Sequence, residues 1–563
     1  MSTEVHTAAR AWRDQDPDPQ TRGELDALLS SAESGDTAAE SALTALFAGR
    51  LDFGTAGLRG ELGPGPLRMN RVLVAQAAAG LAEFLRGRDA HPSVVIGYDG
   101  RRNSEVFARD TAEIMQGAGI AAILLPRLLP TPVLAYAVRT LNASGGVMVT
   151  ASHNPARDNG YKVYLGGEDG GSQIVAPADA AIRAEIVRVA EGTIASLPRS
   201  TEYRLADESL IDGYVAQTAA AATSVSPLRY VYTPLHGVGL ETATRVFRAA
   251  GYADPIVVPE QAEPDSAFPT VAFPNPEEPG AMDLALALAA SIDADLVIAN
   301  DPDADRVAVA VPVVSTGSTG GAGWQALSGN EVGWLLGWRT ARQLAARGER
   351  GTLACSLVSS PALAAVAAAS GLDFVETLTG FKWISRAPEL AFGYEEALGY
   401  LVDPDKVRDK DGISAAVAVL SLFSELRETG VTLDEHRAAF AELFGGFASA
   451  QISIRVAELA EIPRAMSRLR AEPPSEIGGL RVTAFDDFLD GIDDFAPTDI
   501  LRFRIEPSAG VSGRVIVRPS GTEPKLKCYL DASSLDGSAA ARLAEAKRIV
   551  AVLDAGMREI LGR

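Results

Sequence analysis

Cysteine is nearly absent: the chain carries only Cys355 and Cys528, far apart in sequence. That excludes a disulfide framework and a Cys-based zinc site. Histidine is almost as sparse, and His6, His91, His153, His236 and His436 are scattered with no H-E-x-x-H pair. No apolar run reaches the ~18 residues that span a bilayer. The opening MSTEVHTAARAWRDQD lacks the charged-then-apolar pattern of a secretory signal. Basic residues are in deficit, 51 Lys and Arg against 73 Asp and Glu, for a formal charge of −22. A surface that acidic repels nucleic acid and anionic lipid, so neither is expected as a partner. An anionic substrate is compatible with this only where basic residues gather locally. The sparse cysteine, the missing span and the missing signal pattern lead to the expectation of a cytoplasmic protein. A G-x-x-x-x-G-K-[ST] loop is also missing, so nothing points to a P-loop nucleotide donor.

Apolar residues make up 47% and charged residues 22%, ordinary for a packed globular chain, and 563 residues suggest roughly three to five domains. Residues 1–48 read as an acidic helical extension with a loop at Asp16–Pro19. A glycine-rich turn, Leu51–Gly60, follows. Then one grammar appears three times: buried strand, helix, strand. It runs through Ser93–Tyr98, a helix capped at Ser104, and Ala121–Leu125. It returns from Tyr230 to Val258 and from Thr352 to Thr377. Three such units at similar spacing imply three related α/β domains with mixed sheets. The last ~110 residues differ, with short, partly alternating strands at 452–456, 501–505, 515–517 and 526–530. A long amphipathic helix from Ser538 follows, so the chain should end in a smaller α+β domain with an antiparallel sheet. Ser315–Gly323 reads as a loop or hairpin tip without chemistry.

Four segments carry residues suited to chemistry. Thr150-Ala-Ser-His-Asn-Pro155 follows the strand Gly146–Val149, so Ser152 stands where a loop leaves a sheet edge. Gly is absent at both flanking positions of a nucleophile elbow. Neighbouring side chains on extended backbone point apart, which would place His153 poorly to deprotonate Ser152. Taken alone, an ordinary polar loop is as good a reading. Asn300-Asp-Pro-Asp-Ala-Asp-Arg306 follows the apolar strand Leu296–Ala299. Its alternating carboxylates Asp301, Asp303 and Asp305 would repel one another at the mouth of a buried strand unless a hard cation, Mg²⁺ or Ca²⁺, sat among them. An EF-hand is excluded, since Arg306 stands where that loop needs Gly and Pro312 where it needs Glu. Thr379-Gly-Phe-Lys-Trp383 and Gly393-Tyr-Glu-Glu-Ala-Leu-Gly399 set charged residues between glycines, as in loops that approach a ligand. Arg518-Pro-Ser-Gly-Thr-Glu-Pro-Lys525 holds the parts of a phosphate cradle. Surface turns or a basic hairpin would explain either alone. Together, a serine, a divalent-metal site, carboxylates for hydroxyls and a phosphate cradle make a phosphoryl-transfer site.

In that order, across about residues 50–530, the segments resemble the loops of the α-D-phosphohexomutase superfamily, which holds phosphoglucomutases and phosphomannomutases. Leu51–Gly60 and the segment from Trp12 through Thr21-Arg-Gly-Glu-Leu25 look like its longer branch, which includes phosphopentomutases. The resemblance implies four domains around a central cleft: three α/β domains and a TBP-like C-terminal α+β domain. The divisions expected are 1–48, 49–207, 208–324, 325–445 and 446–563. It implies that Ser152 carries the phosphoryl group and joins Asp301, Asp303 and Asp305 in binding Mg²⁺. Arg59, Lys162 and His153 match positions for charge stabilisation and acid–base work. A basic Lys162 would need a lowered pKa, which Arg59 and burial could supply. Arg306, Thr379, Gly380 and Lys382 would hold the sugar phosphate, and Glu395 and Glu396 the sugar hydroxyls. Arg518, Ser520, Gly521, Thr522 and Lys525 would grip the non-transferring phosphate. The activity implied is interconversion of glucose 1-phosphate and glucose 6-phosphate through glucose 1,6-bisphosphate, by a monomer or homodimer. Ribose or mannose phosphates are the alternatives. Relatives carry Glu-x-Ser in the sugar loop, and here the Ser position is Ala397, so one hydroxyl contact is missing. An aspartyl-phosphate enzyme built on Asp303-Ala-Asp-Arg-Val307 would leave Ser152 and the cradle unexplained. A non-catalytic sensor would leave Ser152, the Asp loop and Lys162 without a role.

Overall fold

The computed structural model describes residues 2–54, 57–313, 323–456, 458, 460–493, 495–520 and 525–562. The chain divides into two compact units, Met1–Leu327 with Leu398–Ser421, and Ser328–Ala397 with Leu422–Arg563.

The first unit opens with helices α1 (Ser2–Gln15), α2 (Pro19–Glu33) and α3 (Thr37–Leu46). Their apolar residues Ala9, Trp12, Leu25, Leu29 and Leu43 lie in one core with Val72, Leu81, Val94 and Ile182. The extension is therefore packed into the first α/β layer. Then come β1 (Leu58–Glu61), α4 (Arg71–Arg88), β2 (Ser93–Tyr98), α5 (Ser104–Gly117), β3 (Ala121–Leu124) and α6 (Thr131–Thr140). β4 (Gly145–Val149), β5 (Asp158–Leu165), β6 (Ser172–Gln173), α7 (Ala178–Val189) and β7 (Arg204–Leu205) complete this part. The sheet order is β1-β5-β4-β2-β3-β7, with β6 on β5. β2 lies parallel to β3 and β4, and β5 runs antiparallel to β4 and β1. The run Val94-Val-Ile-Gly-Tyr98 is buried, as a central parallel strand requires.

One boundary differs from expectation. Ser104 begins α5, and the cap position belongs to Asn103, whose φ is +66 and whose side chain makes no capping bond. Asn tolerates that left-handed backbone, and the Ser104 hydroxyl has a charged acceptor instead, Asp99 Oδ1 at 2.6 Å.

The second sheet is made by β8 (Tyr230–Thr233), β9 (Ile256–Val257), β10 (Leu296–Asn300), β11 (Val307–Val313) and β12 (Gly323–Ala326) in the order β12-β11-β10-β8-β9. Around it stand α8 (Glu208–Ala220), α9 (Gly239–Ala249) and α10 (Asp283–Ile292). β10 is parallel to β8 and antiparallel to β11. Of the expected loop Ser315–Gly323, all but Gly323 lies outside the described residues.

In the second unit, β13 (Thr352–Ser356) pairs in parallel with β14 (Asp373–Thr377) and β15 (Leu390–Glu395). Helices α11 (Gly329–Arg347), α12 (Ala362–Ser370) and α13 (Phe381–Ile384) accompany them. The chain returns to the first unit for β16 (Gly399–Leu401) and the opening of α14 (Gly412–Thr429), then continues into α15 (Leu433–Phe444). His436 of α15 stacks on Trp338 at 4.3 Å. The C-terminal sheet consists of β17 (Gly446–Arg455), β18 (Glu476–Ile477), β19 (Leu480–Asp487), β20 (Leu501–Ser508), β21 (Val511–Pro519) and β22 (Lys525–Ser534). Its order is β17-β22-β21-β20-β19-β18 and every pairing is antiparallel. Leu501, Phe503 and Ile505 alternate into a core closed by Ile549 and Leu553 of α17 (Ala539–Ile560), with α16 (Glu461–Ala471) supplying Ile462 and Met466. A further core joins Leu357 and Val358 to Phe488, Ile500, Ile516 and Tyr529. Arg514 reinforces it by pairing with Glu376 at 3.1 Å and Asp531 at 2.7 Å. Among the described residues no helix is long and apolar enough to cross a membrane.

Candidate active site

Ser152 and the three aspartates leave the C-terminal ends of the parallel strands β4 and β10, the edge where α/β sheets place ligands. In the first loop, Thr150 Oγ1 accepts the Ser152 N–H at 2.8 Å and turns the chain. Ser152 has φ +52, a left-handed backbone that a serine adopts only where its surroundings impose it. This overturns the expectation from extended geometry: His153 Nδ1 lies 3.2 Å from Ser152 Oγ. The same hydroxyl donates to Asp301 Oδ2 at 2.7 Å.

The second loop folds through Ala304, at φ +55, so that alternate aspartates converge. Asp301, Asp303 and Asp305 are fully buried, and one carboxylate oxygen from each lies within 4.8 Å of the others. Thr131 ties the loop to the N-terminus of α6: its N–H donates to the Asp303 carbonyl at 2.9 Å and its hydroxyl to Asp303 Oδ2 at 2.6 Å. Lys162 Nζ donates to Asp303 Oδ2 at 2.7 Å and Asp305 Oδ2 at 2.8 Å, and Lys410 Nζ lies 3.2 Å from Asp305 Oδ2. Asp303 Oδ1 and Asp305 Oδ1 are buried with no hydrogen-bond partner. Anionic oxygens left over in this way, in an all-oxygen set, fit a hard divalent cation such as Mg²⁺.

Charge competes inside this cluster. Burial, then the neighbouring Asp303 and Asp305, push the Asp301 carboxyl well above its ordinary range. Burial also works against ionisation of Asp305, but Lys162, Lys410 and Arg306 outweigh it and hold that carboxyl well below the usual range. Asp303 is lowered too, with burial and Asp305 opposing and Lys162 prevailing. Burial, with Arg306 and Arg59 next, keeps His153 neutral. Lys162 departs from expectation. Burial does lower its proton affinity, but Asp303 and Asp305 more than reverse that, so its pKa is raised. Arg59, on β1 opposite Gly160, binds Asn154 Oδ1 at 3.2 Å. The cation that competes with Lys162 is Lys410. Gly57, in the turn before β1, has φ +78, and a Cβ there would meet the Tyr161 carbonyl at 1.9 Å, so no other residue fits.

Arg306 belongs to this first-unit cluster, its N–H donating to Asp301 Oδ1 at 3.0 Å. The remaining predicted residues lie in the second unit. Glu395 Oε1 accepts the Gly380 N–H at 2.6 Å. Glu396 Oε2 accepts from the hydroxyls of Ser356 and Ser359, each at 3.3 Å. Arg518 Nη1 donates to Thr379 Oγ1 at 2.8 Å, which brings the T-G-F-K-W and R-P-S-G segments together. Lys382 Nζ lies 5.9 Å from the Trp383 ring. Ser520 N–H donates to the Lys525 carbonyl at 2.8 Å, closing the hairpin. Gly521 and Thr522 lie outside the described residues. Sequence reasoning missed Lys410, Thr131 and Arg101. The charge-dense run Arg408-Asp-Lys-Asp-Gly412 was a signal for the first; the other two are ordinary in sequence.

Four domain models match in consecutive order. They are the phosphoglucomutase/phosphomannomutase α/β/α domains I (50–192), II (210–314) and III (328–444), and the C-terminal domain (452–549). A protein of Haemophilus influenzae named as a probable phosphomannomutase is 54% identical over 494 residues, 88% of this chain and 98% of that one. The phosphopentomutase of Mus musculus is 33% identical over 588 residues, 96% and 92% of the two chains. A phosphoglucomutase of Staphylococcus epidermidis is 35% identical over 509 residues, 86% and 91%. The fold is shared with the crystal structure of pp63/parafusin, a phosphoglucomutase from Paramecium in its open form, at a TM-score of 0.65 and 19% identity, covering 92% of this chain and 96% of that one. With all four domains matched and relatives aligned along nearly their whole length, the chain belongs to the phosphoglucomutase/phosphomannomutase family and is a phosphosugar mutase, an intramolecular phosphotransferase of carbohydrate metabolism.

Proposed function

We propose that the enzyme transfers a phosphoryl group between the anomeric and primary hydroxyls of a sugar monophosphate by way of Ser152. The observation that carries this reading is the Ser152 hydroxyl at 2.7 Å from Asp301, inside a buried carboxylate triad. Phosphorylated Ser152 gives its phosphoryl group to the free hydroxyl of the substrate: the Oγ–P bond breaks and a sugar O–P bond forms. The hydroxyl proton passes to a neighbouring base. The resulting bisphosphate then presents its other phosphate: its sugar O–P bond breaks, an Oγ–P bond forms on Ser152 as the Oγ proton leaves to a neighbouring base, and the freed sugar oxygen takes up a proton. Neutral His153 is 3.2 Å from Ser152 Oγ, within reach of its proton. Asp301, Asp303 and Asp305 would hold Mg²⁺, which when bound neutralises charge on the transferring group. Lys162 is buried and owes its raised pKa to Asp303 and Asp305. Once their charge is engaged elsewhere, burial and the neighbouring Lys410, opposed by Asp409, favour the neutral amine, and Lys162 becomes a usable base. Arg59 and Arg306 add cationic charge beside it. Glu395, Glu396, Thr379, Gly380 and Lys382 form the sugar-recognition loops, and Arg518, Ser520, Gly521, Thr522 and Lys525 the grip on the standing phosphate. The domain divisions near 49, 208, 325 and 446 follow the same reading, as does a cytoplasmic monomer or homodimer.

For the sugar, we favour glucose 1-phosphate and glucose 6-phosphate, with glucose 1,6-bisphosphate as intermediate. Ala397 favours a second reading, a pentose phosphate: a smaller sugar with fewer hydroxyls needs fewer contacts, and the chain aligns with phosphopentomutases along most of its length. The test is turnover of glucose, mannose, ribose and N-acetylglucosamine 1-phosphates with Mg²⁺ and a trace of glucose 1,6-bisphosphate. Fastest turnover of the glucose ester supports the first reading and of the ribose ester the second. Turnover of none, with Ser152 never phosphorylated, rejects both.

A further inference from the structure

Arg101 is 4% exposed, and its hydrogen bonds to the Ser152 loop go to backbone carbonyls and to none of the side chains assigned above to the chemistry. It follows β2, and its backbone N–H is held by Asp99 Oδ1 at 3.0 Å. Its guanidinium reaches across to the Ser152 loop and donates there four times. Nη2 donates to the carbonyls of Ser152 and Asn154, each at 2.6 Å, and Nη1 to those of Pro155 at 2.9 Å and Asp158 at 3.2 Å. Nε faces Asp99 Oδ2 at 3.4 Å, which balances the charge. The Phe268 ring covers the guanidinium at 4.9 Å.

Burying a cation is unfavourable unless a counter-ion and hydrogen-bond acceptors compensate it; Asp99 supplies the first, although Nε and Asp99 Oδ2 make no hydrogen bond. Here four of the five guanidinium N–H groups serve one short loop. That loop holds Ser152 at φ +52, a conformation that relaxes unless something fixes it. Holding the Ser152 carbonyl at 2.6 Å fixes the backbone and so the Cα–Cβ direction, from which the χ1 rotamer carries Oγ to Asp301 Oδ2 at 2.7 Å. The planar fork matters: it meets several carbonyls at set angles, which the point charge of a lysine cannot do.

We propose that Arg101 is a positioning residue for phosphoryl transfer, a buried fork that holds the strained Ser152 loop so that Oγ points at Asp301. The inference rests on the reading of Ser152 as phosphoryl carrier. Arg101→Lys keeps the charge and loses the fork. In the full-length enzyme it should lower kcat about 100-fold, the loss expected from displacing a reacting group by roughly 1 Å. KM for the sugar phosphate should stay within about twofold and Tm should stay near wild type, the pattern of a lost transition-state alignment. Uptake of phosphate onto Ser152 from glucose 1,6-bisphosphate, read by intact mass, should slow in parallel. In Arg101→Gly, added guanidinium ion should restore kcat about tenfold without moving KM. Wild-type kcat per folded Arg101→Lys molecule would overturn the proposal. So would kcat, KM and Tm failing together with no guanidinium rescue, which is the mark of a merely structural residue. If the Arg101 variants do not fold, Phe268→Leu decides: lowered kcat at unchanged KM supports the proposal, and unchanged kcat overturns it. Ser152→Ala, run alongside, separates the two ideas. Turnover in that variant rejects the phosphoserine reading itself, whereas a dead Ser152→Ala beside a fully active Arg101→Lys rejects only the role of Arg101.

Discussion

In the first unit Asp301, Asp303 and Asp305 are fully buried, and each acidic oxygen that is satisfied has a named lysine, threonine, serine or backbone partner. In the second unit Glu395 and Glu396 are half-buried, and their partners include a backbone N–H and two hydroxyls. The first arrangement is a fixed electrostatic environment, strong because water is excluded and no group needs to reorient during reaction. The second leaves charge where it exchanges contacts with solvent and with a ligand. Damage to the first should therefore appear in kcat, and damage to the second in KM.

The most severe way to break this contrast is Ser152→Ala. Turnover should fall about 10⁴-fold or more, as when a covalent nucleophile is removed, and mass spectrometry should find no phosphate taken up from glucose 1,6-bisphosphate. Next is Lys162→Met, which removes the cation shared by Asp303 and Asp305. We expect kcat down by roughly 10²–10⁴, the range for lost acid–base catalysis, with KM little changed; a pure KM effect would erase the distinction between the units. Glu395→Gln should do the opposite, raising KM about tenfold for the loss of one charge-assisted bond while kcat stays within a few-fold. The smallest effect concerns pH. Burial lowers His436 to about 4, with Arg342 contributing, so the folded state prefers the neutral ring. Its stabilising contribution is complete above the ordinary value of about 6.5 and is lost as pH falls from there towards the folded value. His436→Phe should flatten the fall in Tm across that window and leave the pH dependence of kcat unchanged. A changed activity profile would mean that titration in the second unit reaches the chemistry.

How much of this was legible in sequence follows from distance along the chain. The three aspartates were readable because they crowd the mouth of an apolar strand, where their charges are improbable without a cation; the Ser152 loop also follows an apolar strand, but only the other segments gave it a chemical meaning. The strands were readable because burial on both faces leaves runs such as Val94-Val-Ile96 and Leu296-Val-Ile298. The approach of His153 to Ser152 was misread because period-two reasoning assumes extended backbone, and Ser152 is left-handed. The protonation of Lys162 was misread because Arg59 is its partner in the family pattern, whereas Asp303 and Asp305 are its partners in space. Arg101 carried no signal, since its ligands are backbone carbonyls, which every residue possesses.

The carboxylate cluster also constrains the order in which the protein can mature. Ser152 meets Asp301 across 149 residues, and Tyr164 binds Asp409 across 245. Between them the chain departs to build β13, β14 and β15 before returning at Leu398. Contacts of such long range form late, after the local structure around them. A nascent chain emerging from the ribosome through Leu327 already holds the serine and all three aspartates, but not Lys410. For the time needed to synthesise the next several tens of residues, the acidic cluster lacks one of its neutralising cations. During that interval Lys162 alone neutralises Asp305 among the lysines that pair with it, and exposed, incompletely paired intermediates are the species for which chaperones and proteases compete.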